Sequence, residues 1–340
     1  MATSTLKKAR TVSFRKMHGI GNDFVVFDGV GASLPEGDLA SLSRSMCDRR
    51  FGVGADGLLT IEREGADKFR MRMWNPDGSE SEMCGNGIRC VARYLLDEGI
   101  VGGLGDTPSL TLPQGGGNLR IPVETGAGLL VVEEAEGGQI RVDMGVAHLT
   151  RGEIGMVGPS DERFVAEQVE GFSGTAVSMG NPHLVLIVDE EQGAGSSDNL
   201  HPPAHSRGSD PGLPGSDAAV SSDARSIAAR GRGVAAIDLA KLGPVLEHHE
   251  LFPHRVNVHF VEVVDEGHIV QRTWERGAGA TLACGTGACA SAVACFLNGR
   301  TGRSVDVDLP GGRLHIDYSE DGHVFMTGPA ETVFDGEWPV

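Results

Sequence analysis

The feature that most constrains this chain is an internal repeat. Residues 69–99 align with residues 269–299 without a gap. The identical pairs are Arg72/Arg272, Trp74/Trp274, Cys84/Cys284, Gly85/Gly285, Gly87/Gly287, Ala92/Ala292 and Gly99/Gly299. A second correspondence links Gly21-Asn22 with Gly180-Asn181, and an apolar run follows each pair. Together they predict two halves of one architecture, each with a strand, a loop and a helix that begins just after a cysteine.

Each copy of the repeat carries a helical pattern after its cysteine. Apolar residues recur at i, i+3, i+4 and i+7, which predicts helices over about 87–98 and 287–298. A glycine follows each helix in the position of a C-terminal cap. The segment 190–233, by contrast, is dense in Gly, Ser, Pro, Ala and Asp, a composition that cannot bury enough apolar area to order itself. We predict that this segment is a mobile surface insertion.

Length, charge and cysteine content narrow the class of protein. A chain of 340 residues is long enough for two domains. Its formal net charge of -18 argues against binding to nucleic acid or to anionic membranes. We expect no membrane span, since no apolar run approaches ~20 residues, and no secretory signal at the start. Six cysteines without a Cys-x-x-Cys pair indicate free thiols in a reducing cytoplasm.

The two aligned cysteines stand where a helix start can activate a thiol. Cys84 opens Cys-Gly-Asn-Gly and Cys284 opens Cys-Gly-Thr-Gly. The first turn of a helix leaves about four backbone N–H groups unpaired, and these attract anions. The helix dipole contributes about 0.3–2 kcal/mol, enough to bring a thiol of free pKa about 8.5 towards neutrality. Such a group is suited to abstracting a proton.

The alternative for a cysteine at a helix start is a small buried apolar residue. That interpretation is favoured for Cys90, Cys289 and Cys295, which fall inside the predicted helices, and for Cys47. A purely structural role is disfavoured for Cys84 and Cys284, because these two cysteines occupy equivalent positions of a repeat. Inversion of a carbon centre needs one group to remove a proton and another to deliver one to the opposite face. Two pseudo-symmetric halves with one cysteine each provide this arrangement, and the scheme requires no cofactor or metal.

Six segments of the chain resemble the diaminopimelate epimerase family. They are FRKMHGIGNDFVVFD (14–28), DRRFGVGADGLL (48–59), WNPDGSESEMCGNGIRCVAR (74–93), SMGNPH (178–183), FPHRVN (252–257) and ERGAGATLACGTGACA (275–290). The resemblance covers the chain apart from the first residues and the insertion. It implies interconversion of LL- and meso-2,6-diaminopimelate, in the synthesis of lysine and of peptidoglycan precursors.

The resemblance also implies roles for individual residues. Cys84 and Cys284 match the acid/base pair of the family. Positions that hold the two amino-acid ends of the substrate are matched by Asn22, Asn75, Asn181, Asn257, Glu275 and Arg276. The helix-start loops that grip the reacting carboxylate are matched by Gly85, Asn86, Gly285 and Thr286. Gly57 stands where some members carry Gln, and Thr286 where Ser also occurs. An asparagine taken alone is equally suited to a turn.

The expected fold is α/β, with two pseudo-symmetric domains. Each would be a curved mixed or antiparallel sheet, barrel-like, around a central helix, as in diaminopimelate epimerase, with the active site in the cleft between. We predict an N-terminal domain over 11–136, completed by 326–340, and a C-terminal domain over 137–325. The last segment is expected to return to the first domain, as the family pattern implies. A small-molecule substrate and a homodimer are expected as partners.

Four other interpretations stay open from the residues. Gly285 to Ala290 fits the G-x-G-x-x-A dinucleotide fingerprint, with Asp306 about 20 residues on, but no apolar strand runs into the first glycine. A binding protein that lost turnover is disfavoured by the presence of both cysteines. A relative of proline racemase is the nearest enzymatic alternative. A zinc site is disfavoured because the histidines near the insertion lack recognised ligand spacing: His201, His205, His248, His249 and His254.

Overall fold

The structure is a computed structural model that describes residues 11–30, 38–65, 68–81, 84–101, 119–188 and 233–340. Over these residues the chain forms 18 strands and five α-helices. The helices are α1 (Leu39–Cys47), α2 (Gly85–Asp97), α3 (Arg151–Ile154), α4 (Leu239–Glu247) and α5 (Gly285–Leu297). The strands are β1 (Thr11–Gly19), β2 (Asn22–Asp28), β3 (Gly57–Arg63), β4 (Phe69–Trp74), β5 (Glu80–Ser81), β6 (Arg120–Thr125), β7 (Gly128–Glu134), β8 (Ile140–Val146), β9 (Glu167–Val169), β10 (Phe172–Ser178), β11 (Pro182–Ile187), β12 (Asn257–Asp265), β13 (His268–Glu275), β14 (Gly279–Thr281), β15 (Ser304–Leu309), β16 (Gly312–Tyr318), β17 (His323–Gly328) and β18 (Glu331–Pro339).

The predicted repeat is confirmed by the strand pairing. In the first half, β2 and β3 are parallel, β3 and β4 antiparallel, and β4 and β6 parallel. In the second half, β11 and β12, β12 and β13, and β13 and β15 pair in the same three senses. Even the register agrees, since Leu58 lies opposite Trp74 and Val258 lies opposite Trp274. The mixed α/β fold class predicted from the sequence is therefore confirmed.

Two pairings join the halves. The last strand, β18, runs antiparallel to β1, so that Thr11 lies opposite Pro339. Strand β8 pairs with β17, and all described strands belong to one hydrogen-bonded sheet.

The boundary between domains at 136/137 stays a prediction. Most of the predicted insertion, 190–233, lies outside the described residues; Gly233 opens a short 3₁₀ helix, Gly233–Ala236.

Helices α2 and α5 are the buried centres of the two halves. Ile88, Val91 and Leu95 of α2 are fully buried, and each such side chain stabilises the fold by roughly 1.5–3 kcal/mol. Helix α5 is buried on nearly all sides and is built from small residues, as is typical of a helix inside a core. Both begin two residues before the predicted start because the cysteine itself is the N-cap. None of the described helices combines the length and the apolar character that a bilayer crossing needs.

Candidate active site

The two repeated cysteines occupy equivalent helix ends. Cys84 is the N-cap of α2 and Cys284 the N-cap of α5, and both have extended backbones, with φ/ψ of -141°/115° and -128°/104°. Burial raises the pKa of the Cys84 thiol, while the backbone N–H groups of Gly87 and Asn86 lower it. Each sulfur therefore sits in the anion site of its own helix start. Cys84 is partly exposed, whereas Cys284 is buried.

Met326 of β17 lies between the two helix starts. A Cβ added at Gly85 would lie 3.1 Å from Met326 Cε, and one added at Gly285 would lie 3.0 Å from Met326 Sδ. The side-chain oxygen of Asn86 would lie 3.5 Å from that second position. The first turns of α2 and α5 thus meet across one methionine. Glycine at both places allows this close approach, because a side chain would crowd Met326.

In the first half, a hydrogen-bond network surrounds Cys84. The turn before β2 has positive φ at Ile20 and Gly21, a conformation that suits a two-residue hairpin and places Asn22 at the strand start. Asn22 Oδ1 accepts from the Cys84 thiol at 3.6 Å and from Asn86 Nδ2 at 3.0 Å. Its own Nδ2 donates to Asp56 Oδ2 at 2.8 Å.

In the second half, the equivalent asparagine follows Gly180, whose φ is +90°. Asn181 Nδ2 donates to Thr286 Oγ1 at 3.5 Å, and that hydroxyl lies 3.7 Å from Cys284 Sγ. Glu275 hydrogen-bonds to the Cys284 thiol and accepts from Thr281 Oγ1 at 2.5 Å. Burial raises the pKa of Glu275 and also that of Cys284, where the nearby carboxylate raises it further.

Asn257 and Arg276 form a neighbouring pair. Asn257 Oδ1 accepts from the Arg276 backbone N–H at 2.9 Å, and Asn257 Nδ2 donates to Pro182 O at 3.0 Å. The Arg276 guanidinium donates to His254 O at 3.1 Å. It is oriented by a backbone carbonyl, which leaves most of its N–H donors for a ligand.

Asn75 is the exception among the predicted site residues. It lies in the turn after β4, where its Nδ2 donates to Ser79 Oγ at 3.0 Å and its backbone N–H to Ser79 O at 2.8 Å. Among the described contacts, none joins Asn75 to either cysteine. The other predicted residues, apart from Asn257 and Arg276, lie at the two helix starts or contact them; they are Asn22, Cys84, Gly85, Asn86, Asn181, Glu275, Cys284, Gly285 and Thr286. Arg276 follows Glu275 in the chain and brings its partner Asn257 with it.

Sequence reasoning missed a buried chain of polar groups behind Asn181. His183 Nε2 lies 2.9 Å from Asn181 Oδ1, and His183 Nδ1 lies 2.8 Å from His259 Nε2. His259 Nδ1 in turn lies 3.0 Å from Thr273 Oγ1. Both rings are fully buried, and burial lowers the pKa of His183 well below its ordinary value and that of His259 to about 3. Two neutral imidazoles therefore anchor the asparagine next to Cys284.

Sequence reasoning also missed Arg89 of α2, although this residue lies in segment 74–93, one of the six segments that resemble the family. Its side chain is fully buried and donates to Asn86 Oδ1 at 3.0 Å. A position-by-position comparison of the two halves reveals all three residues. His183 and His259 of the second half stand where the first half has Phe24 and Leu59. Arg89 of the first half stands where the second half has Cys289.

Two solved structures share this fold. A phenazine biosynthesis protein of the PhzF family from Bacillus anthracis aligns with a TM-score of 0.57 at 14% identity, over 97% of this chain and 100% of its own. A hydroxyproline epimerase from Agrobacterium vitis aligns with a TM-score of 0.54 at 15% identity, over 97% and 93%. At such low identity the likeness shows the fold alone. The class of fold is the one shared by PhzF-family proteins and hydroxyproline epimerase.

Sequence relatives define the family. The diaminopimelate epimerase family model matches residues 14–150 and 232–333. A diaminopimelate epimerase from Desulforudis audaxviator is 43% identical over 335 residues, which covers 96% of this chain and 99% of that protein. One from Moorella thermoacetica is 41% identical with the same coverage. The chain belongs to the diaminopimelate epimerase family and is an isomerase, so the resemblance noted in the sequence is confirmed.

Proposed function

We propose that this chain interconverts LL-2,6-diaminopimelate and meso-2,6-diaminopimelate, with Cys84 and Cys284 as the two bases and without a cofactor. The proposal includes a place in lysine and peptidoglycan precursor synthesis, in the cytoplasm. The observation that carries it is the pair of cysteine N-caps at equivalent helix starts, whose first glycines, Gly85 and Gly285, both lie beside the Met326 side chain. Family membership supports the substrate, since the relatives are named for it.

The proposed proton transfer uses one thiol on each face of the substrate α-carbon. One cysteine, as thiolate, takes the proton from the α-carbon and becomes a thiol. The other, as thiol, gives its proton to the opposite face of the carbanion and becomes a thiolate. Atoms and charge balance, and each turnover exchanges the protonation states of Cys84 and Cys284. Negative charge that develops on the α-carboxylate is stabilised by the unpaired N–H groups of α2 and α5.

The polar residues around the thiols suit a substrate with an amino-acid group at each end. The buried Glu275 carboxylate offers an ion pair to an ammonium, which would offset the burial that raises its pKa. The Arg276 guanidinium can bind a carboxylate with two parallel hydrogen bonds. Amide groups of Asn22, Asn181 and Asn257 provide both donors and acceptors. Asn75, held in its turn, would have to reorient in order to contact the substrate.

Single substitutions test the two-base scheme. Cys84→Ala and Cys284→Ala should each lower turnover of LL-diaminopimelate by at least about 10³-fold, because inversion needs a proton-transfer group on both faces and each variant lacks one of them. Cys295→Ala is the matched control, since Cys295 is fully buried near the end of α5. A cysteine variant of the first kind with near-wild-type turnover contradicts the scheme.

Solvent deuterium separates this activity from its nearest alternative. In D2O, purified enzyme should convert each diaminopimelate isomer into a product with one deuterium at the inverted carbon, while the unreacted substrate keeps its proton at early times. Proline is the control substrate and should not exchange. Exchange at proline, or deuterium in the recovered substrate before product forms, would favour a proline racemase activity or a single base.

A further inference from the structure

A buried cation lies directly behind the first helix start. Arg89, in the second turn of α2, is the largest of the fully buried side chains among the described residues. Burial lowers its pKa, yet a guanidinium does not lose its proton in a protein. A full positive charge therefore sits inside the core, close to the proposed active site.

All hydrogen-bond partners described for Arg89 are uncharged. Nη2 donates to Asn86 Oδ1 at 3.0 Å, and Nη1 faces Gly85 O and Met326 Sδ, both at 3.3 Å. Nε donates to Pro329 O at 3.2 Å. Among the described residues, no carboxylate lies within ion-pair distance of the guanidinium. A buried charge without an opposite charge lowers stability, so its retention calls for an anion that is formed during function.

The titratable groups that face Arg89 are three thiols: Cys84, Cys90 and Cys289. Burial raises the pKa of both Cys90 and Cys289 to about 12, so these two stay protonated. Cys84 differs because it is partly exposed and its sulfur contacts backbone N–H groups. Burial raises the pKa of Cys84, as does the Glu275 carboxylate, whereas Arg89 lowers it. Cys284 is the remaining thiol nearby; burial raises its pKa, and the Glu275 carboxylate and Cys84 raise it further, while Arg89 is not among the groups that shift it.

We propose that Arg89 is a positioning residue that stabilises the thiolate of Cys84 with a permanent buried charge and fixes the Asn86 amide beside it. With Asn86 Oδ1 bound by the guanidinium, Asn86 Nδ2 points to Asn22 Oδ1, the atom that contacts the Cys84 thiol. The proposal rests on the proposed function, in which Cys84 must become a thiolate in each cycle. It also makes the two halves unequal, because Cys289 replaces the cation in the second half.

The test is alkylation of each cysteine by iodoacetamide as a function of pH, resolved by peptide mass spectrometry and run without substrate. Arg89→Met removes the charge and keeps most of the volume. We expect the alkylation rate of Cys84 at pH 7 to fall about tenfold, which corresponds to a pKa rise of about one unit, since the thiolate is the reactive form. Cys284 in the same molecule is the internal control and should change less than about twofold.

Arg89→Lys is the matched variant because it keeps the charge but loses the planar fork. Its alkylation rate at Cys84 should stay within about threefold of wild type. A purely structural arginine would lower the melting temperature in both variants without moving either pH profile, and that result overturns the proposal. If Arg89→Met does not fold, the pH dependence of alkylation in the wild type provides the test. We then expect Cys84 to reach half-maximal alkylation at a lower pH than Cys284. The reverse order overturns the proposal.

The alkylation profiles test the role of Arg89 separately from the two-base scheme, because alkylation does not require catalytic turnover. Normal activity in Cys84→Ala would refute the two-base scheme, whatever the alkylation profile of the Arg89 variants. An unchanged profile in Arg89→Met would refute the role of Arg89 alone and leave the two-base scheme standing.

Discussion

The two halves of the chain share one strand order but fill the space beneath their cysteine-bearing helices differently. Four equivalent pairs of positions are apolar in the first half and polar in the second: Phe24/His183, Leu59/His259, Met71/Gln271 and Met73/Thr273. All eight side chains are buried. At these four positions the strands beneath α2 therefore carry hydrocarbon side chains, whereas the strands beneath α5 carry a hydrogen-bonded polar chain.

The difference shows two ways to hold equivalent asparagines. Asn22 donates to the Asp56 carboxylate, a partly exposed group that also pairs with Arg49. Asn181 is oriented by the buried His183. Asn181 Oδ1 is an acceptor, so His183 Nε2 must donate to it, which leaves His183 Nδ1 as an acceptor. His259 Nε2 must then donate to His183 Nδ1. The chain of donors fixes the Asn181 amide so that Nδ2 faces Thr286. Fixing the asparagine in the second half thus requires neutral histidines in the core.

The largest expected effect comes from making the second half resemble the first. In the double variant His183→Phe/His259→Leu, the Asn181 amide loses its anchor while the core gains apolar packing. We expect kcat/KM for diaminopimelate to fall about 100-fold, since small misplacement of a site group costs this much. Leu59→Met in the first half is the matched control and should lose less than about threefold. Wild-type kinetics in the double variant would show that the polar chain does not position Asn181.

Equivalent glycines of the two helix starts should respond unequally to alanine. A Cβ at Gly287 would overlap the His259 ring, whereas one at Gly87 would lie 3.3 Å from Leu59 Cδ2. Gly287→Ala should lower the free energy of unfolding by about 2–3 kcal/mol. Gly87→Ala should stay within about 1 kcal/mol of wild type, because alanine favours the helix. Urea denaturation measures both, and equal losses would contradict the difference in packing.

The buried histidines should make stability depend on pH. Burial lowers the pKa of His259 to about 3 in the folded state, against about 6.5 when unfolded. Between those values the unfolded chain binds the extra proton, so the stabilisation is complete above about pH 6.5 and is lost as pH falls. From pH 7 to 5, His259 alone should cost about 2 kcal/mol. His183 acts in the same direction.

Urea denaturation of the wild type and of His183→Phe/His259→Leu at the two pH values isolates this contribution. The double variant should lose less stability on acidification than the wild type. If both proteins lose the same amount, the histidines are not held neutral in the fold.

The smallest expected effect concerns the hydroxyl that joins Asn181 to Cys284. Thr286→Val keeps the shape but removes the bridge between Asn181 Nδ2 and Cys284 Sγ. A hydrogen bond to a charged group contributes about 1.5–3 kcal/mol, so kcat should fall at least about tenfold. Thr286→Ser keeps the hydroxyl and should stay close to wild type. A valine variant as active as the serine variant would remove the hydroxyl from the mechanism.

Much of the architecture could be predicted from local sequence. The repeat predicted the matched strand pairing, and apolar spacing predicted α2 and α5, although both helices begin two residues earlier than expected because periodicity does not reveal an N-cap. The placement of Asn181 next to Cys284 was implied only by family resemblance, since 103 positions separate these residues along the chain. For Asn75 the residue type left a turn equally open, and its described hydrogen bonds lie within a turn.

The sequence by itself determined the two-fold plan, because residue spacing and glycine position act locally along the chain. It also determined which cysteines stand at helix starts. Only the tertiary structure decided that Arg89 lies buried beside Cys84 with no carboxylate of the described residues in ion-pair contact, and that His183 and His259 meet under α5. Burial and pairing of polar groups depend on which distant strands and helices pack together, and these contacts are not encoded in the spacing of neighbouring residues.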